Sequence, residues 1–241
     1  MKYIKQILLN SDIPKDSYLQ NLSMTKYLSK TKKIDINKDV TFFVGENGSG
    51  KSTLLEAIAV ALGYNPEGGN KNFSFQTNET HSNLYKHITL IKNRYPKDGF
   101  FLRAESFYNV SSYIDEIYSP WEKHRYGDGS LHKLSHGESF LSLIQNGFGK
   151  KGLYILDEPE AALSPMRIMT IMIEIKRLVN EDCQFIIATH SPILMALPDA
   201  QILEFSEDGI NEVDYKDTDH YRFTKEFIED PERMMHYLFE D

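Results

Sequence analysis

Residues 40–62 read V-T-F-F-V-G-E-N-G-S-G-K-S-T-L-L-E-A-I-A-V-A-L, and this stretch decides the fold. Val40–Val44 is a continuous run of β-branched and aromatic residues, the pattern of a short buried strand. Gly45–Ser52 then spells G-x-x-x-x-G-K-S, the pattern of a phosphate-binding loop. Thr53–Leu62 is apolar and rich in helix formers, and Gly63 supplies a C-terminal stop. Strand, glycine loop and helix thus follow in the order that anion binding needs. The loop glycines allow the backbone from Gly45 through Glu46, Asn47, Gly48, Ser49 and Gly50 to curl so that successive N–H groups face one point. The helix start at Lys51, Ser52 and Thr53 adds its partial positive charge there. Lys51 is of a length to reach β- and γ-phosphates, and the Ser52 hydroxyl can ligate Mg²⁺. A bare pattern of this length also arises by chance; the correct flanking strand and helix argue against chance here.

The chain has 241 residues, of which 41% are hydrophobic, enough for one large domain or a domain with a small lobe. The apolar run in M-K-Y-I-K-Q-I-L-L-N is too short for a signal peptide, and no run is long enough to cross a bilayer. A cytoplasmic chain without membrane insertion is expected. The single cysteine, Cys183, cannot form an internal disulfide and reads as a small residue beside a buried strand. The net charge of −8 is uneven. Residues 1–40 hold eight Lys against four Asp, whereas residues 201–241 hold thirteen Asp and Glu against four Lys and Arg. An acidic whole argues against general coating of nucleic acid, and Lys26, Lys30, Lys32, Lys33 and Lys38 read first as an ordinary solvated surface.

Taken in order, Tyr3–Leu9 reads as a first strand, residues 10–33 as loops around a short segment, and Ile34–Asn37 as a short strand. Leu84–Lys92 and Phe100–Glu105 are strand-like runs separated by N-R-Y-P-K-D-G, which predicts a hairpin. Ser106–Tyr118 reads as a helix, and residues 121–130 as polar and irregular. Leu134–Glu138, L-S-H-G-E, opens a further helical stretch to Ile144; its serine and glycine offer a hydroxyl and free N–H groups to an anion, or simply cap the helix.

Gly152–Glu158, G-L-Y-I-L-D-E, is a buried-type strand ending in two carboxylates. In an open α/β sheet that end faces the ligand crevice. Asp157 there can hold Mg²⁺, and Glu158 can orient or deprotonate an attacking water. Pro165 precedes a helix, Met166–Val179, with core residues at helical spacing. Gln184–Ala188 is another buried strand, closed by Thr189-His190-Ser191-Pro192, which would place His190 in the same crevice. Gln201–Phe205 and Ile210–Tyr215 flank S-E-D-G as a hairpin, and Tyr221–Phe239 is helical and acidic.

The succession of phosphate loop, L-S-H-G-E, L-Y-I-L-D-E-P-E, A-A-L-S and A-T-H-S resembles the ABC-type ATPases. Within them it is similar to the stand-alone AAA family ATPases related to the SMC and RecF heads, with F-F-L-R-A-E-S-F-Y-N a further telling piece. The resemblance implies an α/β P-loop fold with a mostly parallel central sheet, an antiparallel N-terminal portion and a small helical lobe near residues 106–150, all within one domain over 1–241. It implies ATP and Mg²⁺ as cofactors, and two ATP molecules sandwiched in an ATP-dependent homodimer. Ser135 and Gly137 would then reach the γ-phosphate held by the other protomer, Glu158 would act on water, and His190 would sense the γ-phosphate. Departures from the family pattern are His136 and Glu138 in place of glycine and glutamine, and Ser164 in place of an aspartate. No clear glutamine follows Phe100–Ala104, and Glu105 stands in its place as a metal or water contact.

Three classes of ATPase compete: a dimeric switch in DNA maintenance or anti-phage defence, with an effector protein or DNA as partner; a transporter subunit; and a regulator with negligible turnover. The short span from Glu105 to Ser135 leaves little room for a lobe that docks on membrane subunits, and Glu158 argues against a regulator that has lost turnover.

Overall fold

The computed structural model describes residues 2–71, 82–117 and 135–239. The chain runs β1 (Ile4–Leu9), α1 (Ser23–Thr31), β2 (Lys33–Asp35), β3 (Val40–Gly45), α2 (Lys51–Ala61), β4 (Ile88–Lys92), β5 (Asp98–Arg103), α3 (Phe107–Ile117), α4 (His136–Ser142), β6 (Gly152–Asp157), α5 (Pro165–Val179), β7 (Gln184–Ala188), α6 (Pro192–Met195), β8 (Gln201–Ser206), β9 (Gly209–Glu212), α7 (Asp219–Glu229) and α8 (Pro231–Phe239). A π-helical turn, Leu143–Gly147, continues α4.

The run Val40–Gly45 is buried at every position because it lies inside a six-stranded sheet of order β5-β6-β7-β3-β8-β9. All neighbours are parallel except the edge hairpin β8–β9. A second, antiparallel sheet has the order β2-β1-β4. The strand period of two sorts alternate residues of the large sheet into two cores. Phe43, Phe101, Ile155 and Ile186 pack with Leu54, Leu55 and Ile58 of α2 and with β1 and β4. Phe42, Leu102, Leu156 and Ile187 pack with Ile168, Ile171 and Ile175 of α5 and with α3 and α4. A parallel sheet covered on both faces is therefore the middle layer, as its unbroken apolar strands require.

One buried amide fastens the small sheet to the large one. Gln184 Oε1 accepts from Tyr3 N (2.7 Å) and Ile4 N (2.9 Å), and Gln184 Nε2 donates to Ile4 O (2.9 Å). Its burial is tolerated because the amide is satisfied on both sides.

The α/β fold with a mostly parallel sheet and an antiparallel portion matches the sequence expectation. Two local expectations do not. The predicted hairpin of Leu84–Lys92 with Phe100–Glu105 does not form: β4 pairs with β1, and β5 pairs with β6 in the other sheet. The N-R-Y-P-K-D-G turn carries the chain between layers, a distinction that local turn chemistry does not encode. Residues 10–33 also contain more than loop. Met24, Thr25 and Leu28 are the buried positions of the nine-residue helix α1, and Tyr27 packs partly buried against the same core. So short an apolar face among polar residues left no clear helical period. Of the expected helical lobe, residues 118–134 lie outside the described residues, as do the 121–130 stretch and Leu134.

Gly45 ends β3 with φ +128°, and a Cβ there would stand 2.2 Å from the Phe205 carbonyl oxygen. Both the backbone conformation and the close approach of β8 require glycine. Gly45→Ala is expected to destabilise the fold by about 2 kcal/mol or more. A urea midpoint equal to wild type would contradict this.

Candidate functional site

The site lies at the carboxyl ends of β3, β6 and β7, where an open parallel sheet presents its crevice. Between β3 and α2 the backbone turns through Gly48 (φ +81°) and Gly50 (φ +101°). A groove of about 1070 Å³ opens along Gly45–Ser49 and continues to Glu204, His220 and Phe223. Lys51, 5% exposed, donates from Nζ to Gly45 O (2.7 Å) and Glu46 O (2.8 Å). Burial pushes its pKa down, against the pull of Glu158 and Asp157.

Ser52 Oγ donates to Asp157 Oδ1 at 2.9 Å, joining two residues 105 apart in the chain. Asp157 is 4% exposed, and burial pushes its pKa up to about 6 even though Arg103 and Ser52 act the other way. Arg103, the last residue of β5, faces Asp157 Oδ2 through Nε (3.2 Å) and Glu56 Oε2 through Nη1 (3.2 Å). Glu105, by contrast, has a side chain that is 84% exposed and, among the described residues, pairs with Arg103 Nη2 at 3.8 Å. The side chain of the F-L-R-A-E run that faces the Asp157 carboxylate is thus Arg103, which sequence reading passed over, while Glu105 acts on Asp157 only through its charge, raising the Asp157 pKa.

Glu158 follows β6 in the left-handed region, φ 51° and ψ 53°, held by its N–H to Ala188 O at 3.0 Å. This strained backbone turns its carboxylate away from the strand and toward His190, whose Nε2 lies 3.6 Å from Glu158 Oε1. Glu160, also missed in the sequence, organises the β7 end. Its Oε1 accepts from His190 N (2.5 Å) and Thr189 Oγ1 (2.7 Å). Burial raises the Glu160 pKa, and these donors oppose that rise. His190 Nδ1 stands 2.9 Å from His220 Nε2, and the pKa values of both rings are lowered chiefly by burial. No motif in the sequence marks His220.

Ser135 and Gly137 sit at the start of α4. The Ser135 N–H and Oγ both donate to Glu138 Oε2, at 2.9 and 2.7 Å. Arg167 of α5 donates to Ser135 Oγ (3.3 Å) and to Glu138 Oε1 (3.0 Å). Among the described residues, none of the hydrogen bonds of Ser135 reaches the phosphate loop of its own chain.

The donor set suits a phosphate ester with a hard cation. The buried atoms Ser49 Oγ and His190 Nε2 have no hydrogen-bond partner among the described residues, and both belong to loops that border the crevice. A serine hydroxyl beside a carboxylate suits Mg²⁺, which takes few protein oxygens and completes its shell with phosphate and water. Among the described residues, no group of three or more His, Cys, Asp or Glu side chains could hold a metal by itself. No helix of the described residues is long and apolar enough to cross a membrane.

An "AAA domain" family model matches residues 20–134. A second AAA domain model, whose description also names the AbiEii toxin and the Type IV TA system, matches residues 82–196. The "ABC transporter ATP-binding protein ModF" of Escherichia coli (strain K12) is 28% identical over 192 residues, 69% of this chain and 38% of that protein. The "Retron Vc95 probable ATPase" of Vibrio cholerae serotype O1 biovar El Tor is 31% identical over 98 residues, 38% of this chain and 18% of that protein. The matches thus span less than two fifths of either curated relative. Among solved structures, a nucleotide-free ATP-binding cassette from an ABC transporter superposes with a TM-score of 0.52 at 16% identity, covering 99% of this chain and 100% of that one. An ATP-binding cassette in its ADP conformation superposes with a TM-score of 0.50 at 18% identity, covering 100% of both chains.

Proposed function

We propose that this chain, an AAA-domain chain with the fold of the ABC-type ATP-binding cassettes, is a Mg-dependent ATPase that works as an ATP-sandwiched homodimer. The reading takes 1–241 as one ATPase domain with a helical lobe inserted at about 106–150. The observation that carries it is the 2.9 Å contact of Ser52 with Asp157 beside buried Lys51. Three residue types from two distant segments meet where a parallel sheet opens, in the arrangement that phosphoryl transfer uses.

The roles follow from position. The N–H groups from Gly45 to Thr53 bind the phosphates, and Lys51 holds the β- and γ-phosphate oxygens. Ser52 and Asp157 would hold magnesium, which would supply positive charge against the phosphates. Arg103 keeps Asp157 in place from the β5 side. Glu158 orients a water on the far side of the γ-phosphorus and takes its proton as the new P–O bond forms. The bond to the β–γ bridging oxygen breaks, leaving ADP and phosphate. His190 Nε2 meets the γ-phosphate from the β7 end.

The dimer supplies what one chain lacks. Ser135 is exposed, and among the described residues its hydroxyl bonds to Glu138 and Arg167 and not to its own phosphate loop. In a two-fold pair each Ser135 and Gly137 would face the partner's ATP. Light scattering on Glu158→Gln is expected to show mass doubling with Mg-ATP, none with Mg-ADP, and none with Mg-ATP once Ser135→Arg is added. If Ser135 is a helix cap only, Ser135→Ala lowers stability by about 1 kcal/mol and Ser135→Arg leaves the doubling intact. A monomer in Mg-ATP would sink the sandwich.

The switch reading assigns a cytoplasmic chain, an effector protein or DNA as partner, and a role in DNA maintenance or anti-phage defence; it rests on the family resemblance. The similarity to ModF favours a second reading, a transporter subunit. Co-purification from membranes with a permease would support the second, and recovery with a cytoplasmic effector the first.

A further inference from the structure

Helix α7, which precedes α8, borders the phosphate-loop groove with Asp219, His220, Phe223 and Thr224, and its His220 is the side chain that meets His190. Thr218 caps it, accepting from Tyr221 N at 3.3 Å and donating to Tyr215 O at 2.8 Å, and Asp219 N donates to Glu204 Oε1 at 3.4 Å. The rings of Tyr215 and Tyr221 pack at 4.7 Å. None of the residues of α7 is buried, so its first turn is the part that is fixed. That turn sets His220 Nε2 at 2.9 Å from His190 Nδ1, with the two ring centroids 5.0 Å apart. The other nitrogens of the pair, His190 Nε2 and His220 Nδ1, are both buried without a hydrogen-bond partner among the described residues.

We propose that His220 is a positioning residue of the phosphate site: its Nε2–H donates to His190 Nδ1 and thereby fixes the His190 proton on Nε2, facing Glu158 and the γ-phosphate. The inference rests on the nucleotide reading of the site. A neutral imidazole carries one proton, and the hydrogen bond at one nitrogen decides which holds it. Burial lowers the pKa of both rings, so the neutral pair is the relevant state. Two arrangements fit one bond between Nδ1 and Nε2. If His190 donated, its Nε2 lone pair would point at the Glu158 carboxylate, 3.6 Å away, and His220 Nδ1–H would be a buried donor without an acceptor. If His220 donates, the His190 Nε2–H points at Glu158 and at an incoming phosphate, both anionic, and His220 Nδ1 keeps only an unpaired lone pair. The second arrangement satisfies the charges and leaves no buried N–H unpaired apart from the one aimed at the substrate. The γ-phosphate contact of His190 is then set from α7, outside the motifs that surround the nucleotide.

The test uses the full chain labelled with ¹⁵N-histidine, with His190 assigned by comparison with His190→Gln. Wild type is expected to show His190 protonated at Nε2 and unprotonated at Nδ1. In His220→Phe, which keeps a ring and removes the donor, the His190 nitrogens should shift toward an average of the two tautomers. His220→Gln, whose amide nitrogen reaches the position of Nε2, should restore the wild-type pattern. His220→Asn, whose amide lies nearer the position of Nδ1, should not. In ATP turnover, His220→Phe should lower kcat about tenfold with KM little changed, and His220→Gln should recover most of it. Protonation of wild-type His190 at Nδ1 overturns the proposal without any variant. An unchanged His190 pattern in His220→Phe, or equal kcat in the Phe and Gln variants, overturns it too. Absence of turnover in wild type would count against the ATPase reading and leave the tautomer result to be judged alone.

Discussion

Glu158→Gln is expected to bind Mg-ATP as wild type does and to turn it over about 10²–10⁴-fold more slowly, the usual contribution of a placed general base. The side chain is 41% exposed, so it touches solvent from which a water can be drawn. Its backbone is held by the Glu158 N–H to Ala188 O bond and does not depend on the carboxylate. The amide keeps size and can still accept a hydrogen bond from water, yet it cannot take the proton. The defect should therefore appear in kcat and leave nucleotide affinity unchanged. Asp157 is one residue away and part of the same charge cluster, so Asp157→Asn serves as the contrast: it should weaken the Mg²⁺ dependence of binding as well. Steady-state phosphate release together with equilibrium titration separates the two effects. Turnover of Glu158→Gln within a factor of two of wild type would remove the carboxylate from the chemistry.

Lys51→Ala is expected to weaken ATP binding by about 10²–10³-fold, since charge-assisted hydrogen bonds are each worth about 1.5–3 kcal/mol. ADP should lose less, because the lysine also reaches the γ-phosphate. The fold should survive. The ammonium is 5% exposed and its pKa is lowered mainly by burial, so the chain gives up a costly desolvated charge along with the bonds to Gly45 O and Glu46 O. Titration calorimetry with ADP and a non-hydrolysable ATP analogue checks the affinity, and a thermal melt checks the fold. Equal ATP affinity in the variant and wild type would rule out the role given to Lys51.

The correct and incorrect expectations divide along a physical line. The strand, turn and helix around G-x-x-x-x-G-K-S were legible because they follow from a local apolar run and from glycines free to take positive φ, as Gly48 and Gly50 do. L-Y-I-L-D-E was legible for a similar reason: an all-apolar strand must be buried, and its first charged residues must mark the end that faces the crevice. The hairpin at residues 84–105 failed because a turn fixes only that the chain reverses. Which strand then becomes the partner depends on which edges are open, and β1 and β6 offered those edges from about 80 residues back and about 50 residues ahead in the chain.

The sequence by itself determined the strand, glycine turn and helix of residues 40–61, the acidic strand end and the buried parallel core, since these follow from local backbone freedom and hydrophobic period. Only the tertiary structure decided that Arg103 and not Glu105 lies against Asp157, that Glu160 holds the loop of His190, and that His220 meets His190. Arg103 and Glu105 are two residues apart, and what separates them is the end of β5: the strand carries one to the crevice and the turn leaves the other in solvent. His190 and His220 are 30 residues apart with a helix, a hairpin and a turn between them. Their contact follows from where the first turn of α7 docks, a sum of many weak packing terms that no local pattern records.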